Sequence, residues 1–387
     1  MERKQLDALM GQVLDFGPKL SDIIITAGKR LQAEMDGVLG DVPTKPDLGV
    51  LTPELTKAFA LALIAGNKRL AADLTERGSC DCSYALGTRA RFRVNIFKQR
   101  KQLAVIMRKL PSKIPGMDDL KLPDAFRDMT KEKYGLILVT GGTGTGKSNS
   151  LAAVIDAINA ERSVHIITLE DPVEFSHPHK KGTVSQREMG ADFDTFASAL
   201  RAALRQAPKV VLVGEIRDAE TMDIALQAAG TGHLVLSTLH TNDAGSAINR
   251  VLGLFEPHEE RLVRMRLAES LRFVACQRLL PRAGGGRVAA FEVLRNTLRV
   301  RELILNGESE EKTFYGVLEQ GGAQGMFTFD QCLLKLYLDG AIAEDTALLA
   351  ASDRSKLTML IDQEKTRRGE SSSDLVIEGL EMDDGLR

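Results

Sequence analysis

Gly141, Gly142, Thr143, Gly144, Thr145, Gly146, Lys147 and Ser148 spell G-x-x-x-x-G-K-S, a spacing suited to holding phosphate. Glycines let successive backbone N–H groups turn toward one anion, and a helix starting at the end of the loop adds its positive dipole end. Lys147 can reach β- and γ-phosphates, and Ser148 can offer its hydroxyl to Mg²⁺. Asn149 completes the nucleotide-binding stretch. The context agrees, because Leu136, Ile137, Leu138 and Val139 read as a buried strand before the loop. After it, Leu151, Val154, Ile155 and Ile158 share one helical face. A turn that binds nothing would have no use for Lys–Ser after its last glycine.

Three further segments bear on what such a site would do. Val210-Val-Leu-Val-Gly-Glu215 is an apolar strand running into an acid. Gly214 occupies the place where such segments usually carry aspartate, so Glu215 is the residue left to position or activate water. The alternative is an acid that caps the next helix. His165-Ile-Ile-Thr-Leu-Glu170-Asp171 also ends in acids, and Glu170 or Asp171 could orient water or Mg²⁺. A salt bridge to a nearby arginine would explain them equally well. Gly230-Thr-Gly-His233-Leu-Val-Leu-Ser-Thr-Leu-His240-Thr places two histidines at the ends of a strand. At about 3.3 Å per residue they would stand roughly 20 Å apart, which argues against a shared metal. A strand end of this kind can sense a γ-phosphate, and a satisfied structural histidine is the alternative for one of the two.

An arginine row precedes these segments. Thr88-Arg89-Ala-Arg91-Phe-Arg93-Val-Asn95-Ile96 alternates, so Ala90, Phe92, Val94 and Ile96 face a core and the arginines face away. Arg108 lies just past the apolar run 103–107. Like charges in a row repel unless they meet an anion. A nucleic acid is one such anion, and the γ-phosphate held by a neighbouring subunit is another. A solvated face that pairs with carboxylates is the simplest account for Arg89.

The elements that must position these groups can be outlined. The chain has 387 residues, 43% apolar content and a formal net charge of −2, enough for two domains with real cores. The charge and the scarcity of aromatics speak against a nucleic-acid surface. No run has transmembrane length, and the polar start MERKQLDALM is unlike a signal peptide, so a cytoplasmic protein is expected. Cys80, Cys82, Cys276 and Cys332 form no C-x-x-C pair, which indicates neither a zinc ribbon nor a disulfide framework. In the first 110 residues, Leu6, Leu9, Met10, Val13 and Leu14 have helical spacing, Ile23–Ile25 is a short strand, Met35–Gly37 is a tight turn, and Thr52-Pro53-Glu54 starts a helix. Leu110–Gly116 breaks the pattern. Strands are expected at 136–140, 164–169, 210–214 and 234–238, alternating with helices. Past 256 the chain reads as mainly helical, and its end reads as a disordered acidic tail.

Taken together, these segments resemble the secretion and type IV pilus motor ATPases. The matching signatures occur in order: the loop 141–148, ITLEDPVEF (167–175), VVLVGEIRD (210–218) and GTGHLVLSTLHT (230–241). VSQREMG (184–190) and ALRAALRQAP (199–208) are similar too. The absence of a four-cysteine insertion and the GMFTFDQ segment (325–331) resemble the retraction, PilT/PilU-type branch linked to twitching motility. Departures are Gly142 for proline, Asn149 for threonine, and LRVRELIL (298–305) in place of the branch's AIRNLIRE.

The resemblance implies an α/β fold with a small PAS-like N-terminal domain (1–112), a linker (113–130), a RecA-like P-loop ATPase domain with a helical C-terminal part (131–362) and an acidic tail (363–387). It implies a homohexamer that hydrolyses Mg-ATP to power pilus retraction. Lys147 would bind phosphates and Ser148 Mg²⁺; Glu215 would position water, supported by Glu170; His233 and His240 would couple the site to its surroundings; Arg93 and Arg108 would approach the γ-phosphate. Expected partners are the inner-membrane pilus platform protein, which would hold the chain at the inner membrane, and a paralogous retraction ATPase. No nucleic acid or membrane insertion is expected. The alternatives are an accessory PilU-like subunit and a pilus assembly or secretion ATPase.

Overall fold

The computed structural model describes residues 1–17 and 19–368. The chain forms two compact units. The first takes Met1–Leu138, Ser148–Leu239 and Glu269–Leu271, and the second takes Val139–Lys147, His240–Ala268 and the residues from Arg272 on.

The first unit begins with a six-stranded sheet. Its strands are β1 (Leu20–Ile25), β2 (Gln32–Met35), β3 (Val38–Asp41), β4 (Ser79–Leu86), β5 (Ala90–Gln99) and β6 (Gln102–Lys109), in the order β3-β2-β1-β6-β5-β4. Every neighbouring pair is antiparallel. The expected turn at Met35–Gly37 is a two-residue hairpin: Met35 pairs with Val38, and Asp36 and Gly37 both take positive φ, 51° and 81°. Helices Arg3–Phe16 and Pro53–Ile64 supply Leu6, Met10, Val13 and Phe59 to a core that also holds Ile23, Tyr84, Phe92, Val94 and Met107. Thr52 caps the second helix, its hydroxyl accepting the Leu55 N–H at 3.3 Å. The alternation on β5 is realised, with Ala90, Phe92, Val94 and Ile96 buried and Arg93 exposed.

Strands β7 (Gly135–Thr140), β8 (His165–Glu170), β9 (Thr183–Glu188), β10 (Val210–Val213) and β11 (Leu234–Leu239) follow, in the order β7-β11-β10-β8-β9. Strands β11, β10, β8 and β9 run parallel. All residues of β7, β10 and β11 are buried. Parallel strands covered on both faces read as continuous apolar runs, which is why these were recognisable. Between the sheets, the segment expected as linker contains the helix Asp124–Lys131.

Past 256 the chain is mainly helical, as read, with one addition that the reading did not include. Helices dominate, but β12 (Leu271–Pro281) and β13 (Arg287–Arg295) form a long antiparallel hairpin from Phe273↔Arg295 to Pro281↔Arg287. Residues 273–277 are all buried, so no period-two signal marks β12. The available cue was Gly284-Gly285-Gly286 in the turn, all at positive φ. The last helix, Arg354–Arg367, extends into the stretch expected as tail, and residues 369–387 lie outside the described residues.

The four cysteines are free. Burial pushes the Cys80 thiol up to about 11 and Cys82 to about 12, and raises Cys276 and Cys332 as well. No helix among the described residues is long and apolar enough to cross a membrane.

Candidate nucleotide site

In the second unit the loop leaving β7 has the backbone that its glycines permit. Gly141, Gly144 and Gly146 take φ of 147°, 76° and 92°, values that L side chains avoid. Lys147 is buried, and its ammonium donates to the Gly141 and Gly142 carbonyls at 2.8 Å each. The Thr145 hydroxyl donates to the Gly142 carbonyl at 2.9 Å. Gly142, Thr143 and Gly144 are exposed at the tip. Ser148 is exposed in the first turn of the helix Lys147–Glu161, and Asn149 is half-buried beside it. The hydroxyl of Ser148 is a hard oxygen donor of the kind Mg²⁺ accepts.

One residue that sequence reasoning missed sits behind this loop. Gln277 on β12 is 4% exposed, and its carboxamide N–H donates to the Thr145 carbonyl at 2.8 Å. The two positions are 132 residues apart, so no local pattern could have joined them.

In the first unit, acids follow the ends of parallel strands. Gly214 continues β10. Its N–H donates to the Leu169 carbonyl at 2.8 Å and its carbonyl accepts the Thr238 hydroxyl at 2.7 Å. A Cβ at 214 would stand 3.2 Å from the Leu169 carbonyl and 3.4 Å from Glu170 Cα. Glycine therefore suits the close approach of β8, and the acid after the strand is Glu215. Glu215 does not cap the next helix. Asp218 does so, accepting the Thr221 N–H at 2.8 Å. Glu215 is instead paired with the largely exposed Arg217 at 2.6 Å.

Glu170 closes β8. One carboxylate oxygen accepts the Thr168 hydroxyl at 2.6 Å and the Gln186 carboxamide at 3.2 Å, and the other accepts the Glu174 N–H at 3.4 Å. Burial nevertheless raises its carboxyl above the usual range, only partly offset by these bonds. The salt-bridge alternative is not realised for Glu170. The neighbouring Asp171 is also raised by burial; Arg93 pulls it down, Glu215 and Asp81 push it up, and Arg217 pulls it down. Arg93, Glu215 and Arg217 thus share electrostatic reach of one carboxyl.

The arginines separate. Strand register sets Arg93 opposite Arg108, and Arg108 opposite Asp22. Arg108 Nε donates to Asp22 at 2.9 Å, so its charge has a carboxylate partner on β1. Arg91 reaches Glu188 at 3.3 Å, and Arg89 is bonded to Asp15 on the helix Arg3–Phe16. Arg93 is the member of the row whose charge acts on Asp171.

The two histidines separate as well. His233 precedes β11: its backbone carbonyl accepts the Gly135 N–H at the start of β7, and its Nδ1 is 3.2 Å from the Ala228 carbonyl. It stands at the start of the parallel strands, while Glu170 and Glu215 follow their ends. The Nδ1 contact gives His233 a structural partner at this end of the sheet. His240 follows the end of β11 and is exposed.

A glycine-rich phosphate loop with a buried lysine, following a buried apolar strand and running into a helix, marks a P-loop protein. The type II/IV secretion system protein model matches residues 84–318. The chain is 40% identical to the type IV pilus retraction ATPase PilT of Pseudomonas aeruginosa, over 87% of this chain and 96% of that one. It is 39% identical to the type IV pilus ATPase PilU of the same organism, over 88% and 87%. The crystal structure of the pilus retraction motor PilT with bound ADP superposes with a TM-score of 0.80 at 41% identity, covering 90% of this chain and 97% of that one. The chain belongs to the type II/IV secretion system protein family, among its ATPases of pilus-retraction type.

Proposed function

We propose that the chain is a motor subunit that hydrolyses Mg-ATP to power type IV pilus retraction. The observation that carries this reading is an intact phosphate loop, with Lys147 drawn in by two loop carbonyls, in a chain that parallels PilT over nearly its whole length.

Lys147 and the loop N–H groups bind the phosphates. The Ser148 hydroxyl would hold Mg²⁺, and a bound Mg²⁺ would supply charge neutralisation to the phosphates. Glu215 orients the attacking water, and Glu170 supports it as a carboxyl held by Thr168 and Gln186. Arg93 supplies positive charge toward the γ-phosphate, and His240 links the strand end to the nucleotide. By the same reading the chain works in the cytoplasm as a homohexameric ring, against the inner-membrane pilus platform protein, with residues 1–112 as a PAS-like domain and 131–362 as the ATPase domain.

A second reading is an accessory subunit that assists a paralogous retraction ATPase. It is favoured by the near-equal identity to PilU and PilT. Both readings meet in one experiment, ATPase turnover of the purified chain with oligomer size recorded, beside Lys147→Ala and Glu215→Gln. The motor reading expects turnover in a hexamer, loss of nucleotide binding in Lys147→Ala, and turnover lowered about 10²-fold or more in Glu215→Gln with binding kept. A hexamer that binds ATP without turnover, active only beside a paralogue, would sink the motor reading and select the accessory one.

A further inference from the structure

We propose that Gln277 is a positioning residue of the ATPase site, one that sets the phosphate-binding face of the loop from β12. This deepens the nucleotide-site reading and rests on it.

The argument starts from the peptide between Thr145 and Gly146. A trans peptide is planar, with its C=O and N–H on opposite sides. The Gln277 carboxamide holds the Thr145 carbonyl at 2.8 Å. The Gly146 N–H must then point away from β12, as a phosphate-binding amide must. Without that anchor, the half-buried Thr145 carbonyl would be free to rotate and take the Gly146 N–H with it.

The two bracketing glycines carry the same imprint. A Cβ on Gly141 would lie 2.4 Å from the Gln277 carbonyl oxygen, and a Cβ on Gly146 would lie 2.9 Å from the Gln277 carboxamide nitrogen. Both loop ends therefore close against this one residue, through its backbone and its side chain respectively. The bonds continue inward. Thr145 donates to the Gly142 carbonyl, and that carbonyl also accepts Lys147. Gln277 is thus one bond from the peptide that carries Gly146 and three bonds from the phosphate-binding ammonium.

Its neighbours extend the reach of the residue. Arg278 turns the other way, stacking over Phe329 at 3.8 Å and donating to the carbonyls of Asn242 and Ala350. One strand segment therefore holds the phosphate loop with one side chain and the helical C-terminal part with the next. A shift of β12 would be felt at both.

The test uses the full chain and two substitutions. Gln277→Met keeps length and volume but removes the donor. Gln277→Glu keeps shape but sets a carboxylate against the Thr145 carbonyl, and regains an O–H donor when protonated. Affinity for a fluorescent ADP, kcat, KM and the unfolding midpoint are measured between pH 5.5 and 8.5. A positioning role expects ADP affinity and kcat/KM at least tenfold lower in both variants at pH 8, with unfolding midpoints within a few degrees of wild type. It also expects Gln277→Glu to recover as pH falls while Gln277→Met does not. ADP affinity and turnover within twofold of wild type in Gln277→Met would overturn the proposal. So would losses in both variants that merely track a lowered unfolding midpoint, with no recovery of Gln277→Glu at low pH. Wild-type chain that binds no ADP would instead defeat the nucleotide-site reading itself.

Discussion

Gly214 shows how a single residue can redirect chemistry. A Cβ there would crowd the Leu169 carbonyl at 3.2 Å, and the acid proposed to handle water is the next residue, Glu215. Gly214→Asp is expected to push β10 away from β8, at a cost of about 1–3 kcal/mol, and to disturb Glu170. Thermal unfolding and turnover of that variant check both effects, and an unchanged midpoint would mean that the strands have slack. At this scale the sequence was most legible where chemistry is contiguous. Gly141–Ser148 could be read directly as a phosphate loop because their spacing along the chain is their spacing in the loop, and Glu215 stood out as the acid after an apolar strand. Where strand register sets the surroundings, as for Arg108 beside Asp22 and His233 before β11, no local pattern told what each side chain would meet. Gln277 was invisible, since its partner lies in another element.

Among elements, the β12–β13 hairpin does work beyond the loop. Glu292 on β13 is buried, accepting the Ala244 N–H at 2.9 Å and the Phe329 N–H at 3.4 Å. It thereby ties the starts of two helices, Ala244–Leu252 and Phe329–Leu338. Burial pushes its carboxyl up to about 7, against the pull of both backbone bonds. Because the folded value lies above the unfolded one, the protonated form favours folding. Stability is full below pH 4.5 and is lost as pH rises through 7, by about 3 kcal/mol if the group acts alone. Chemical unfolding from pH 5 to 8 should show this fall, and Glu292→Gln should flatten it; an equal slope in both would remove Glu292 as the cause. The hairpin also marks the limit of periodicity reading. Strands with one wet face, such as β5, declare themselves by alternation. A strand buried on both faces and containing Arg272, Gln277 and Arg278 has neither alternation nor an uninterrupted apolar run.

For the whole molecule, fold class and order of elements followed from apolar runs alternating with helices. Each compact unit also joins segments far apart in sequence, such as Val139–Lys147 with His240–Ala268, a grouping that no local pattern spells out. The six-stranded sheet and its helices nonetheless enclose a core drawn from Leu6 to Met107. Residues 1–112 alone should therefore give a cooperative, strand-containing unfolding transition by circular dichroism. A fragment that stays unfolded would show that this core leans on the rest of the chain. The free thiols carry a practical consequence for watching such a motor. Burial raises all four thiols above their ordinary value, so each is held largely in its thiol form at pH 7. Alkylating dyes attack the thiolate, so a cysteine placed on the exposed tip of the phosphate loop or beside His240 can be labelled against a nearly silent native background, without first stripping the chain of its own sulfur.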